Sequence, residues 1–168
     1  MTLNADIAAS KGFSDDQLAK YIIDATQEVF STMVMMDAAD DYPLQEPITR
    51  FQCSITGMVG FAGLYSGVIS VHCPVELAKK ITSAMLGIDC DEINEDLNDA
   101  IGEIANMLGG GVKQVLSKGG LDVKLSIPTV ISGEDYTVNS LSDIDCVVIP
   151  FRIGDEKFLV GLTLKREE

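Results

Sequence analysis

The stretch EDLNDAIGEIANMLGGGVKQVLSK, residues 95–118, decides the architecture. At about 100° per residue, Ile101, Ala105, Leu108, Val112 and Val115 fall along one side of a helix. Asp99, Glu103 and Asn106, spaced by four and then three, stay within about 60° of one another near the opposite pole. The segment reads as a helix with a buried apolar back and a presented acid-amide front. On its own, such a polar stripe is a solvated face.

After Gly119 and Gly120 the period changes to two, with Val123, Leu125 and Ile127 alternating against Lys124 and Ser126. That pattern predicts a strand, interrupted at Pro128. Ile144 to Arg152 and Lys157 to Lys165 predict two more, joined by a tight turn at Gly154 and Asp155. Toward the N-terminus, Ser14 followed by Asp15 and Asp16 suits a helix start. Leu18, Ile22, Ala25, Val29 and Met33 then recur at helical spacing to about Met36. Asp40, Asp41, Tyr42 and Pro43 end that helix. Ile48 to Thr56 and Leu64 to Cys73, separated by Gly57, Gly60 and Gly63, read as a hairpin. Pro74 suits the first position of a second helix, whose apolar face is Leu77, Ile81, Ala84 and Met85 up to Gly87. The order helix, two strands, two helices, three strands predicts an α+β fold, with helices on one face of a largely antiparallel sheet.

Asp24, Glu28 and Ser31 on the first helix repeat the spacing of Asp99, Glu103 and Asn106, and each helix leads into paired strands. The halves read as a pseudo-duplication in which the first copy lacks the amide. Gly109, Gly110 and Gly111 each cost about 1 kcal/mol relative to alanine inside a helix. We read the run as a site of close helix packing rather than a break.

With 168 residues and 46% hydrophobic content, the chain suffices for one domain, residues 1–168, burying about 70% of its unfolded surface. A formal charge of −14, from 26 acidic and 12 basic residues, argues against nucleic acid or an anionic membrane as a direct partner. There is no apolar run of about eighteen residues. Met1 to Ser14 has only Lys11 as a basic residue, so no signal peptide is expected and the protein reads as cytoplasmic. Cys53, Cys73, Cys90 and Cys146 stand singly without a C-x-x-C pair, and are expected as free, mostly buried thiols. The acidic run from Asp89 to Asp96 fails as an EF-hand because Asn94 and Ala100 stand where glycine and glutamate are needed. His72, the one histidine, sits beside Cys73 and Pro74 at a strand end and reads as a structural or surface histidine. No phosphate-cradling glycine motif is present, so no nucleotide cofactor is implied.

Asp99-x3-Glu103-x2-Asn106, followed after twenty-one residues by Pro128, resembles the signature of the CheC/CheX/FliY phosphatases of bacterial chemotaxis. The single full motif and compact length look most like the CheX branch. The resemblance implies a CheC-like fold and, as substrate, the phosphorylated CheY-type response regulator, whose aspartyl phosphate is hydrolysed. It also implies homodimers joined through their sheets.

The chemistry fits these side chains. An acyl phosphate is hydrolysed by an in-line water, and the receiver already brings the phosphoaspartate, a divalent metal such as Mg and a lysine. Orientation is the missing part. Asn106 offers both a donor and an acceptor, so it suits holding water in attack geometry. Glu103, one turn away, suits pairing with the receiver's lysine. Asp99 is a candidate for a peripheral partner contact or for helix stabilisation. Pro128 is assigned to shaping a strand edge. No cofactor of the chain's own is required. The competing reading is a non-catalytic module of the same fold that docks a receiver or a flagellar switch component.

Overall fold

The computed structural model describes residues 15–63, 65–116, 123–139 and 145–166. Helix α1 (Asp15–Val29) continues into a π-helical turn (Phe30–Val34). A short β1 (Ala39–Asp40) precedes the hairpin β2 (Arg50–Gly63) and β3 (Tyr65–Pro74). Helices α2 (Val75–Leu86) and α3 (Glu95–Leu116) follow. Then come β4 (Val123–Leu125), β5 (Thr129–Thr137), β6 (Asp145–Ile153) and β7 (Glu156–Arg166). Among the described residues, three helices thus pack on a seven-stranded antiparallel sheet.

The sheet runs β1-β6-β7-β3-β2, and β4 and β5 both pair with the outer side of β2. Each half consists of a helix, an edge segment and a hairpin, and each edge segment pairs with the other half's hairpin: β1 with β6, β4 and β5 with β2. The two hairpins meet at the central β3–β7 ladder. The pseudo-duplicated halves expected from the helical echo are therefore present as an exchange of edge strands, with α2 inserted between them.

Strand alternation sends Ile55, Val59, Ile69, Val71, Val160 and Leu162 into the buried core with the helices. Thr56, Ser70, His72 and Val148 lie on the opposite face by the same register. Glycine lets α3 lie unusually close. A Cβ at Gly57 would lie 3.0 Å from both the Cγ2 and the carbonyl oxygen of Ile101. One at Gly109 would lie 3.2 Å from Val59, and one at Gly111 3.3 Å from the Ala25 side chain of α1. The glycine run is a packing site, as expected, and α3 passes through it without a break.

Several boundaries differ from the sequence expectation. The strand expected to stop at Thr56 runs on through Gly57 and Gly60 to Gly63, because these glycines admit α3 and the crossing chain rather than forming turns. Helix one was expected to run to about Met36. Its regular part ends at Val29, and the π-turn is closed by Met35 in the left-handed region at φ 60°. Pro74 caps α2 with extended backbone (ψ 143°) instead of opening its first turn. Strands β1 and β5 were not foreseen: β1 is two residues long, and β5 has no buried position along its length. Cys53, expected among mostly buried thiols, is exposed at φ 45°. The cysteines are otherwise free as expected, with Cys73 and Cys90 buried and Cys146 half-buried. The proposed cap Ser14 and the pair Gly119 and Gly120 lie outside the described residues.

Gly110 of α3 should respond differently from Gly57. Gly110 has nothing within 4 Å of an added Cβ, so Gly110→Ala is expected to stabilise the fold by about 0.5–1 kcal/mol through helix propensity. Gly57→Ala is expected to destabilise it by about 1–3 kcal/mol, since the Ile101 carbonyl cannot move aside. Urea unfolding of the two variants measures both signs.

Candidate functional site

Helix α3 begins with Asn94, whose Oδ1 accepts the Leu97 amide at 3.0 Å, a side-chain cap that fixes the first turn. Glu95 and Asp96 then stand at the positive end of the helix dipole. From there Leu97, Ile101, Ile104, Ala105, Leu108 and Val112 bury the back of the helix. Asp99 and Glu103 are exposed and Asn106 is half-buried, all on the opposite side. Among the described residues none is hydrogen-bonded or ion-paired to these three side chains. Because the helix is continuous, half-buried Lys113 lies on the same stripe two turns beyond Asn106.

Pro128 sits in the break between β4 and β5. It shapes a strand edge as foreseen, and it also touches the motif helix. A Cβ on Gly102 would lie 3.4 Å from Pro128 Cβ and 3.5 Å from Val130 Cγ2, ordinary van der Waals contact. Gly102 precedes Glu103 and lies one turn before Asn106, so the long gap in the motif brings the proline back beside the polar pair. Gly102 was missed in the sequence. Its signal was a lone glycine inside a strongly amphipathic helix, overshadowed by the triple glycine that follows.

The first-helix echo is arranged differently. Asp24 is ion-paired with Lys20 at 3.0 Å on the exposed surface. Ser31 lies in the π-turn, and its Oγ donates to the Glu28 carbonyl at 3.2 Å. Asp24, Glu28 and Ser31 are exposed, but the short hydroxyl is turned back on its own helix.

His72 is buried on the sheet face away from α3. Its Nδ1 is 2.8 Å from Thr56 Oγ1 and its Nε2 is 3.0 Å from Ser70 Oγ. Thr56 Oγ1 is also 2.8 Å from the Tyr136 hydroxyl. The left-handed Cys53 breaks the alternation of β2, so Phe51 reaches the same face and stacks on His72 with centroids 4.3 Å apart. Burial lowers the imidazole pKa to about 4. His72 is a neutral structural group, as its sequence setting suggested. Nearby, a cavity of about 600 Å³ under segment 41–48 is lined by Leu44, Ile48, Phe51, His72 and Leu159 among others, and by no residue of α3. Among the described residues no three His, Cys, Asp or Glu side chains are grouped to hold a metal ion, the acidic connector before α3 included.

The sequence profile of the family described as chemotaxis phosphatase CheX matches residues 55–152, which contain the whole motif from Asp99 to Pro128. The chain belongs to the CheX family. It is 26% identical over 153 residues to the CheY-P phosphatase CheX of Thermotoga maritima, covering 90% of this chain and 97% of that one. The crystal structure of a chemotaxis protein CheX from Desulfovibrio desulfuricans is similar with a TM-score of 0.78 and 30% identity, over 89% of this chain and 99% of that chain. CheX in the CheX-CheY-BeF3-Mg complex of Borrelia burgdorferi shares the fold, with a TM-score of 0.69 and 20% identity over 89% and 97% of the two chains. No helix among the described residues is long and apolar enough to cross a membrane.

The buried histidine makes a pH prediction. The unfolded chain takes up its imidazole proton near pH 6.5 and the folded protein only near pH 4. Stability from this group is therefore complete above pH 6.5 and is lost as pH falls toward 4, by roughly 2–4 kcal/mol. Urea unfolding at pH 7, 5.5 and 4 should show a smaller acid loss in His72→Gln than in the wild type, whatever their difference at pH 7.

Proposed function

We propose that this chain is a phosphatase that hydrolyses the aspartyl phosphate of a CheY-type response regulator. The observation that carries the reading is one continuous exposed face of α3 on which Glu103 and Asn106 stand a turn apart, free of partners among the described residues. Membership of the CheX family supports it, and so does the phosphatase named at 26% identity. The complex from Borrelia burgdorferi is of a CheX with a CheY, which supports a receiver domain as the partner.

In this reading α3 enters the receiver's phosphorylation cleft front first. The Asn106 amide accepts a hydrogen bond from water and holds it in line with the phosphorus–oxygen bond to be broken. Being neutral, it approaches the phosphoryl oxygens without the repulsion that a second carboxylate would meet. Glu103 pairs with the receiver's lysine and sets the depth of insertion. Asp99, one turn back, makes a peripheral contact. The divalent metal, such as Mg, belongs to the receiver, and the chain needs no cofactor of its own. We further propose that the protein works in the cytoplasm as a homodimer joined through its sheets. The outer edge of β5 has no strand partner among the described residues, and an open edge of this kind can take up a second chain.

The test follows phosphate loss from a phosphorylated CheY-type receiver of the same genome. Wild-type protein is expected to shorten the receiver's phosphorylated lifetime. Asn106→Ala is expected to bind but lose about 100-fold or more of the acceleration, and Glu103→Ala to lose binding as well. A receiver lifetime unchanged at saturating wild-type protein would overturn the phosphatase reading. For assembly, sedimentation velocity is expected to show a dimer that dissociates on dilution. A monomer at every concentration removes the dimer.

A further inference from the structure

Ile127 is 85% exposed, the highest of any large hydrophobic among the described residues. The backbone that carries it is tightly held. Ser126 N–H donates to the Gly60 carbonyl at 2.8 Å, and Gly60 N–H donates to Ser126 Oγ at 2.9 Å. The Ser126 hydroxyl then donates to the Ile127 carbonyl at 3.0 Å. On the other side, Pro128 has a fixed φ and restricts the residue before it to extended backbone. Pro128 in turn rests against Gly102 of α3.

These constraints fix the backbone at Ile127. On the helical wheel Gly102 is about 40° from Asn106 and about 60° from Asp99. It flanks the polar stripe on the side nearest the β4–β5 edge of the sheet. Ile127 is one residue from the proline that covers Gly102, so its backbone stands beside that flank of the polar stripe, and its apolar side chain is open to solvent. A β-branched side chain on a fixed backbone has little rotamer freedom to lose on contact. Exposed Met35, by contrast, is a flexible side chain in the cap that ends the π-turn.

We propose that Ile127 is a specificity-determining contact of the phosphatase, seated in an apolar depression on the receiver beside its phosphorylation cleft. The inference rests on the proposed phosphatase reading. Glu103 and Asn106 face groups common to any phosphorylated receiver: the lysine, the metal and the acyl phosphate. They cannot tell one receiver from another. An apolar knob beside them distinguishes receivers with a matching depression from those with a charged rim, because burying a charge against isoleucine is unfavourable.

The experiment measures steady-state dephosphorylation of the receiver by wild type, Ile127→Ser, Ile127→Leu and Met35→Asn. It is paired with calorimetric titration of the beryllofluoride-activated receiver and with sedimentation. Ile127→Ser is expected to raise KM and the dissociation constant about tenfold with kcat within about twofold. Ile127→Leu is expected to stay close to wild type. Met35→Asn, in a different element and suited to its left-handed backbone, should leave both parameters unchanged. If wild type accelerates hydrolysis and Ile127→Ser matches it in KM and affinity, the proposal is overturned while the phosphatase reading stands. An effect on kcat alone, or dissociation of a dimer without a change in receiver affinity, also overturns it. If wild type binds without accelerating, the phosphatase reading falls, and weaker binding by Ile127→Ser still supports the contact. Absence of any binding overturns both.

Discussion

Everything presented by this molecule depends on how closely the backbone of α3 lies against β2. At Gly57 a side chain of even one carbon would meet the Ile101 carbonyl at 3.0 Å, and at Gly109 the same holds against Val59 at 3.2 Å. A backbone-to-backbone approach leaves α3 no room to roll or slide without losing the burial of Leu97, Ile101, Ile104, Ala105 and Leu108. The rotation of the helix about its own axis is thereby set from behind. Glu103 and Asn106 point outward because the opposite side is locked. The angle at which the Asn106 amide is presented is therefore established in the core.

The two halves share a plan but differ where chemistry would be done. Both contribute a helix and a hairpin to one sheet, exchanging edge strands across the β3–β7 ladder. In the second half the helix remains regular through three glycines, so Asn106 and Lys113 stay on one stripe. In the first half the helix loosens into a π-turn at Phe30–Val34, just where Ser31 would take the place of the amide. Phe30, fully buried and stacked on Phe158 with centroids 4.8 Å apart, anchors that turn to the core. The first helix packs against α3, with Ala25 facing Gly111.

Away from the motif, the opposite sheet face is held by polar contacts as well as apolar ones. Thr56, Ser70, His72 and Tyr136 form one hydrogen-bonded chain, with Phe51 stacked on the imidazole. Each buried polar atom of the imidazole finds a partner, which is what allows a histidine to remain neutral in that setting. Its chemistry is confined to stability. The motif helix and the titrating group lie on opposite sides of the sheet, so acid weakens the fold from the face that does not carry the motif.

The two-faced helix, the spacing of Asp99, Glu103, Asn106 and Pro128, the turn at Gly154 and the α+β order of elements were all legible in the order of residues. Periodicity, capping and turn chemistry are properties of neighbouring residues and can be read without a fold. Gly102 and Gly57 could not be read in this way. Their meaning depends on what lies across from them, Pro128 in one case and Ile101 in the other, and a missing Cβ leaves no pattern of its own. Strands β1 and β5 were also decided only by the tertiary structure. They lie at sheet edges with no buried position, so pairing with β6 and β2 forms them, and their own hydrophobic pattern does not. The same holds for the return of the chain to α3 at Pro128. Spacing marked the proline as part of the motif, but only packing against Gly102 made it a neighbour of Glu103 and Asn106.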